Sequence, residues 1–169
     1  MQPIVSAAER SLAAGPSQWL GLGAVALAAL AADQATKEVV ASQLGYGDEV
    51  HVLGPFSLHH VQNSGISFGL FQNSTAVVTL ATMIAVVWML WYFARSGGRH
   101  PVLPTALGLL IGGSVSNLAD RLRLGHVVDF LDVGRWPAFN LADSFICVGV
   151  AILLVTLVRA DRDPRRSRS

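Results

Sequence analysis

The chain has 169 residues, of which 52% are apolar and 14% are charged, and its formal net charge is +1. An ordinary soluble domain has roughly a quarter of its residues charged, so this composition excludes disorder and disfavours a water-soluble monomer. The small net charge gives no basic surface for nucleic acid, which is therefore not expected as a partner. A single cysteine, Cys147, excludes both an internal disulfide framework and a cysteine-rich metal site.

The charged residues are so unevenly distributed that three long runs contain none: residues 11–32, 61–94 and 101–119. About 20 apolar residues cross a bilayer as a helix. Between Arg135 and Arg159 the chain is again apolar, with Asp143 as its single charged residue. The sequence thus predicts an all-α membrane protein with four transmembrane helices, formed by one domain over residues 19–158.

The first span is predicted from about Trp19 into residues 33–40, after an N-terminal arm of residues 1–18. A cleavable secretory signal is the alternative, with Arg10 as its basic region and residues 29–31 as its small-residue cleavage site. Signal peptides usually have an apolar region of about 7 to 15 residues. The uncharged run of residues 11–32 is longer than that, which favours a retained helix.

Residues 41–62 contain several glycines and short stretches in which apolar and other residues alternate around the Gly54-Pro55 turn. Alternation with a period of two, bounded by such a turn, is typical of a β-hairpin. The sequence therefore predicts a small β-rich element on the outer face of the membrane. The second and third spans are predicted over residues 74–93 and 104–119.

The loop of residues 95–100 and the tail of residues 159–169 are rich in arginine. Cytoplasmic segments carry an excess of Lys and Arg, so loop and tail are predicted to be cytoplasmic, as are both termini of a four-span chain. The segment after the third span is then on the outer side, although it contains Arg121, Arg123 and Arg135. We expect these arginines to pair with Asp120, Asp129 and Asp132, or to meet lipid phosphates.

Most of the remaining polar residues fall at the outer ends of the spans, which predicts one shared site. Each group also has a purely structural interpretation. Asp33 and Lys37 have the spacing of a helix ion pair, and Asn140 with Asp143 resembles an N-cap followed by an acid in the first helical turn. The stripe of Gly108, Gly112 and Ser116 is typical of close helix packing, and we also expect a substrate helix to pack there.

Asp129 and Asp143 are the two carboxylates that apolar sequence surrounds. Burial among Val, Phe and Leu is expected to raise the pKa of Asp129. Asp143 is expected a turn or two inside the fourth helix, because Trp136 and Phe139 extend the apolar run beyond it. A carboxylate at that depth is costly and is a functional candidate by default. Two such acids can share a proton and perform aspartic proteolysis.

The five histidines show no zinc-protease spacing, so we predict no metal site and interpret them as surface or interfacial residues. They are His51, His59, His60, His100 and His126.

Five motifs between Trp19 and Val158 resemble, in order and location, those of the bacterial lipoprotein signal peptidases, also called signal peptidase II. They are Asp33-Gln34-x-Thr36-Lys37, Asn63-x-Gly65-x-Ser67-Phe68, Gly112-Gly113-Ser114-x-Ser116-Asn117-x-x-Asp120-Arg121, Gly125-x-Val127-x-Asp129-Phe130 and Pro137-Ala138-Phe139-Asn140-Leu141-Ala142-Asp143-Ser144. Each motif is weak alone, but five in a four-span chain of this size are specific.

The resemblance implies that Asp129 and Asp143 are the catalytic pair. It implies supporting or substrate-contacting roles for Asp33, Lys37, Asn63, Gly65, Asn117, Asp120, Arg121 and Asn140. The reaction it implies is removal of the signal peptide from diacylglyceryl-modified prolipoproteins, just before the lipidated cysteine, by an intramembrane aspartyl endopeptidase without a cofactor. The implied location is the bacterial inner membrane, with the active site near the outer face and the 41–62 sheet resting on the outer membrane surface.

The implied partners are prolipoproteins, membrane lipid and cyclic lipopeptide inhibitors of the globomycin type. A proton-coupled transporter or channel subunit is the alternative function, with Asp33, Asp129 and Asp143 as its proton relay. A relay needs ionisable groups through the full depth of the membrane, and the inner halves of the predicted spans have none. A structural scaffold would leave Asp143 without a role.

Overall fold

The computed structural model describes residues 12–65 and 75–161. It consists of four long helices and four strands, in this order along the chain: α1 (Pro16–Gln43), β1 (Glu49–Leu53), β2 (Phe56–Asn63), α2 (Thr75–Ser96), α3 (Leu103–Leu124), β3 (Val127–Val133), β4 (Trp136–Phe139) and α4 (Leu141–Asp161).

Three of the helices, α1, α2 and α4, are long and apolar enough to cross a membrane, and most of their apolar surface faces outward. Lipid is as apolar as a leucine side chain, so such helices leave large hydrophobic residues on their outer faces. The remaining helix, α3, carries Asp120, Arg121 and Arg123 near its C-terminal end and buries residues along its whole length. It is the central helix and packs against the other three.

Glycines allow α3 to lie directly on the backbones of its neighbours. A Cβ atom at Gly112 would come within 2.5 Å of the Ala26 carbonyl oxygen of α1, and one at Gly113 within 2.5 Å of the Ala142 carbonyl oxygen of α4. Close helix packing was the structural prediction for this stripe, and it is confirmed. The expectation that a substrate helix packs there is wrong, because α1 already covers Gly108 and Gly112.

Helix α1 begins at Pro16, slightly before the predicted start, since proline suits the first turn of a helix. Residues just before it lie against the end of α2, where the Ala14 N–H donates to the Ala94 carbonyl and the Gly98 N–H to the Leu12 carbonyl. The rest of the predicted arm, residues 1–11, lies outside the described residues. Through residues 29–31 the helix is continuous, and Ala29 is buried.

The strands form one antiparallel sheet in the order β1-β2-β3-β4. The predicted hairpin in residues 41–62 is confirmed as β1 and β2. The second half of the sheet was not predicted: Trp136–Phe139 is strand β4 and does not extend the last helix. A short apolar run does not by itself distinguish a strand from a helix, and Gly134, with φ of 65°, makes the turn that folds β4 back onto β3.

Asp143 also lies at a different place from the one predicted. Because α4 begins at Leu141, Asp143 lies in the first turn of the helix and not one or two turns inside it. The side chain is therefore at the junction between helix and sheet.

Replacing Gly112 with leucine is expected to destabilise the fold by about 3 kcal/mol or more, since the new side chain has no space between α3 and α1. Thermal unfolding in detergent measures the effect. Gly23→Ala is the matched control, because a Cβ atom at this helical glycine meets nothing within 4 Å. The control is expected to be neutral or stabilising, and equal losses for the two variants would contradict the packing described.

Candidate active site

All ten residues predicted for the shared site belong to one continuous network of hydrogen bonds and ion pairs, where α1, α3, α4 and the sheet meet. The residues are Asp33, Lys37, Asn63, Gly65, Asn117, Asp120, Arg121, Asp129, Asn140 and Asp143. Most of their side chains are buried. A polar group in such a place needs partners, and the contacts below supply them.

Asp33, which is 0% exposed, connects three helices. One carboxylate oxygen lies 2.7 Å from Lys37 Nζ on α1 and accepts a hydrogen bond of 2.6 Å from the Ser116 hydroxyl on α3. The other oxygen accepts the backbone N–H of Ala142, at the start of α4, over 2.8 Å. The ion pair expected from the sequence is present, but it is one part of a larger junction.

Asp120 is the second partner of Lys37, at 2.7 Å. Gln34 Nε2 donates to Asp120 over 2.8 Å and to the Ser116 hydroxyl over 2.9 Å. Gln34 and Ser116 were not predicted as site residues, since Ser116 was interpreted only as a packing residue. The available signal was their place in the motifs, because Gln34 stands in the first motif and Ser116 in the third.

Asp129 lies on β3 and is 1% exposed. Its carboxylate accepts a hydrogen bond of 2.9 Å from Asn63 Nδ2 on β2 and one of 2.7 Å from Asn140 Nδ2. Burial is the main cause that raises the pKa of Asp129 to about 7, and the charge of Asp143 acts in the same direction. Hydrogen bonds from Asn63 and Asn140, and the charge of Lys37, oppose the rise. A raised pKa was expected from the apolar neighbours of Asp129, and it is confirmed.

Asp143 does not cap its own helix. The N-cap is Asn140, whose side-chain oxygen accepts the Asp143 N–H over 2.9 Å, and the Ala142 N–H is bound by Asp33. The Asp143 carboxylate instead accepts a hydrogen bond of 2.8 Å from Asn117 Nδ2. The alternative interpretation is confirmed in its geometry, because Asn140 is the N-cap and Asp143 lies in the first turn, but the N–H groups at the start of α4 are bound by Asn140 and Asp33 and not by Asp143.

Two asparagine amides link the carboxylates of Asp129 and Asp143. Asn140 Nδ2 donates to Asp129 and also to Asn117 Oδ1, over 3.1 Å. Asn117 Nδ2 in turn donates to Asp143. The two acids therefore lie at opposite ends of one short chain of amide groups, and their positions depend on each other.

Arg121 does not form the expected pairs with the outer acids. Its Nη2 donates to the Gly65 carbonyl over 3.1 Å, while Nη1 lies 3.4 Å from the Asn117 carbonyl. Asp120 instead binds Lys37, and Asp132 lies 3.3 Å from His59 Nδ1. The Arg121 side chain therefore connects the turn after β2 to α3.

The histidines lie outside this network. His60, expected near the surface, is buried, and its Nδ1 is 2.9 Å from the Leu44 carbonyl oxygen. Within residues 12–65 and 75–161, no group of three or more His, Cys, Asp or Glu side chains is placed to hold a metal ion.

The fold and the site together define a class of protein. Apolar helices surround a buried polar junction in which two coupled carboxylates, from a strand and a helix, are held by amide donors. One of these acids has a pKa near neutrality. Such a pair can hold one proton between its two members, as the acids of aspartic peptidases do.

Comparison with known proteins agrees with this class. The family model described as signal peptidase (SPase) II matches residues 25–159. The lipoprotein signal peptidase of Symbiobacterium thermophilum is 39% identical over 144 residues, covering 82% of this chain and 94% of that protein. That of Moorella thermoacetica is 41% identical over 130 residues, covering 76% and 87% respectively. The chain therefore belongs to the signal peptidase II family, as the motifs predicted.

Two solved structures share the fold. Both are described as bacterial membrane enzyme structures obtained by the in meso method, at 2.3 Å and 1.9 Å resolution. The first has a TM-score of 0.79 and 25% identity, covering 88% of this chain and 91% of its own. The second has a TM-score of 0.73 and 27% identity, covering 83% and 92%. The chain is thus a multi-pass membrane protein of a peptidase family, and the transporter alternative is not favoured.

Asp33→Ala is expected to lower the free energy of unfolding by roughly 3 kcal/mol, because it leaves part of the Lys37 charge and the Ala142 N–H buried without their acceptor. Denaturation in detergent measures the loss. Glu38→Ala, on an exposed position of the same helix, is expected to stay within about 0.5 kcal/mol of the wild type. A similar small change for Asp33→Ala would contradict its role as a junction.

Proposed function

We propose that this protein is a lipoprotein signal peptidase that cuts prolipoproteins just before their diacylglyceryl-modified cysteine, with Asp129 and Asp143 as the catalytic acids. The observation that carries the proposal is the amide chain from Asp129 through Asn140 and Asn117 to Asp143. It couples two carboxylates in a protein that belongs to a peptidase family.

The environments of the two acids suggest their roles. Asp129 is fully buried, so it is the acid that keeps the shared proton near neutral pH. Asp143 is half-buried and lies in the first turn of α4, where the helix dipole favours negative charge. We assign the proton on Asp129 to the carbonyl oxygen of the substrate, and the ionised Asp143 to the water molecule.

The reaction then proceeds in two balanced steps. Asp143 accepts a proton from water as the oxygen attacks the carbonyl carbon, while Asp129 donates its proton to the carbonyl oxygen. A neutral tetrahedral intermediate forms. Asp143 next donates its proton to the leaving amine nitrogen, Asp129 recovers a proton from the hydroxyl group, and the C–N bond breaks. Both acids return to their starting states.

We further propose four membrane spans, with α3 as the fourth. The 22 residues of α3 extend about 33 Å as a helix, and three apolar helices surround it. The site lies at the C-terminal ends of α1 and α3 and at the N-terminal end of α4. With loop 95–100 and the tail in the cytoplasm of a bacterial inner membrane, these ends are at the outer face.

A lipid anchor would bring the substrate to this level. Each buried methylene contributes about 0.8 kcal/mol to membrane binding, and an extended peptide does not enter an apolar layer unaided. Membrane lipid and cyclic lipopeptides of the globomycin type are proposed as further ligands, because such a lipopeptide combines a peptide backbone with an acyl chain as the substrate does.

Asp129→Asn and Asp143→Asn are each expected to abolish cleavage, by at least about 10³-fold, because neither variant can hold one proton between two carboxylates. The assay is the appearance of shortened product from a purified lipidated prolipoprotein. Asp132→Asn is the matched control, since it lies on the same strand and contacts His59 instead. Near-normal activity of Asp143→Asn would reject the pair.

The same assay includes a matched precursor without lipid. We expect it to be cleaved far more slowly than the lipidated form, because nothing holds its peptide at the depth of the acids. Equal initial rates in the same detergent would reject lipid recognition while leaving the aspartyl chemistry intact.

The rate is expected to fall as pH rises above about 7, where Asp129 loses its proton. The Asn63 hydrogen bond stabilises the ionised carboxylate, so Asn63→Leu is expected to raise the pKa of Asp129 and move this decline to higher pH. Initial rates between pH 5 and 9 measure both effects, with Asp132→Asn as the control. If the alkaline decline of Asn63→Leu had the wild-type midpoint, or one at lower pH, the assignment of this decline to Asp129 would be contradicted.

The four-span arrangement is tested with topology reporters. Fusions after Arg99 and after Arg168 are expected to report the cytoplasm, and an insertion at Gly47 is expected to report the outside. A cytoplasmic signal at Gly47, in the turn before β1, would reject the arrangement together with the outer position of the site.

A further inference from the structure

We propose that Lys37 is a positioning residue of the aspartate pair: by binding the side-chain oxygen of Asn117, it keeps the Asn117 amide nitrogen directed at Asp143, and its charge favours the ionised form of the pair. The inference rests on the proposed function and deepens it. It gives this buried lysine a role in catalysis beyond its ion pairs.

The ammonium group of Lys37 uses all three of its N–H donors. They contact Asp33 Oδ2 at 2.7 Å, Asp120 Oδ2 at 2.7 Å and Asn117 Oδ1 at 2.9 Å. Lys37 is 4% exposed, so water does not compete for these positions. A lysine needed only for charge balance would be satisfied by its two acids, and the third contact goes to the residue that holds Asp143.

This third contact fixes which way the Asn117 side chain points. An amide has an acceptor oxygen at one end and two N–H donors at the other. With the oxygen against the Lys37 ammonium and the Asn140 amide, the nitrogen faces Asp143 at 2.8 Å. A reversed amide would place N–H groups against two donors and its oxygen against a carboxylate. The positive charge of Lys37 thus excludes the reversed orientation.

Lys37 also brings a positive charge into contact with the amide chain, at Asn117 Oδ1. The other charged or titratable groups around Lys37 and the amide chain are Asp33 from α1, Asp120 and Arg121 from α3, Asp129 from β3 and Asp143 from α4. Both Nη atoms of Arg121 contact backbone carbonyls. Asp33 and Asp120 receive further hydrogen bonds from Ser116 and Gln34. The charge of Lys37 therefore stabilises the ionised form of the pair.

Lys37→Gln tests this role, because it removes the charge and retains a hydrogen-bond donor. Without the charge, the pair ionises less readily, and we expect the alkaline decline of the pH–rate profile to move upward by roughly one pH unit. A lysine that only maintained the fold would lower the rate at every pH and leave the midpoint in place. That second outcome would overturn the proposal.

A charge-balanced variant covers the case in which Lys37→Gln does not fold. Lys37→Gln combined with Asp120→Asn removes one buried charge of each sign, and Asp33 keeps its hydrogen bonds from the Ser116 hydroxyl and the Ala142 N–H. Lys37 contacts the amide chain, whereas Asp120 does not. We therefore expect the midpoint of the alkaline decline to move upward in this variant too, but by less than in Lys37→Gln alone. An unchanged midpoint, or a downward shift, in this folded double variant would also overturn the proposal.

Glu38→Gln is the control for charge on the same helix, since Glu38 is exposed beside Lys37, and its profile is expected to match that of the wild type. The wild type is measured in every series. If it does not cleave the lipidated precursor, the proposed function fails. If the wild type cleaves the precursor, and the pH–rate profiles of the folded lysine variants have the same midpoint as the wild-type profile, the Lys37 proposal fails and the proposed function stands.

Discussion

One carboxylate holds the molecule together at its polar junction. Asp33 binds Lys37 on its own helix, Ser116 on α3 and the first turn of α4 through the Ala142 N–H. A fully buried acid is expensive unless every lone pair finds a donor, and only the crossing of three helices brings these donors together. The packing of α1 and α4 on the glycines of α3 is what makes the crossing that close.

Because Asp33 and Asn140 satisfy the N–H groups at the start of α4, the carboxylate of Asp143 is not needed as a cap. It is left facing Asn117, and the amide chain connects it to Asp129 on the sheet. The neighbouring acids thus have two kinds of surroundings. The acids that stabilise the fold are paired with a lysine, whereas Asp129 and Asp143 are held mainly by neutral amides, which restrain the carboxylates without neutralising them.

The least apolar of the four helices is the central one. Lipid-facing helices can be apolar on every side, but α3 is surrounded by protein and can carry Asn117, Asp120 and Arg121 toward partners on other elements. This is why the hydropathy that identifies α1, α2 and α4 as spans is a weak guide to α3. Polar groups inside a membrane protein concentrate where they face the bundle interior.

The sequence by itself determined the family, the helices and the ten members of the polar network, because few polar residues in an apolar chain are conspicuous and their motifs are local. It did not determine strand β4, the position of Asp143 in the first helical turn, or the roles of Gln34 and Ser116. Those depend on contacts between residues far apart in the chain: β4 exists through its pairing with β3, and Ser116 matters because Asp33 lies against it. Only the tertiary structure decided which donor meets which carboxylate, since a buried acid takes its properties from neighbours that the sequence does not place beside it.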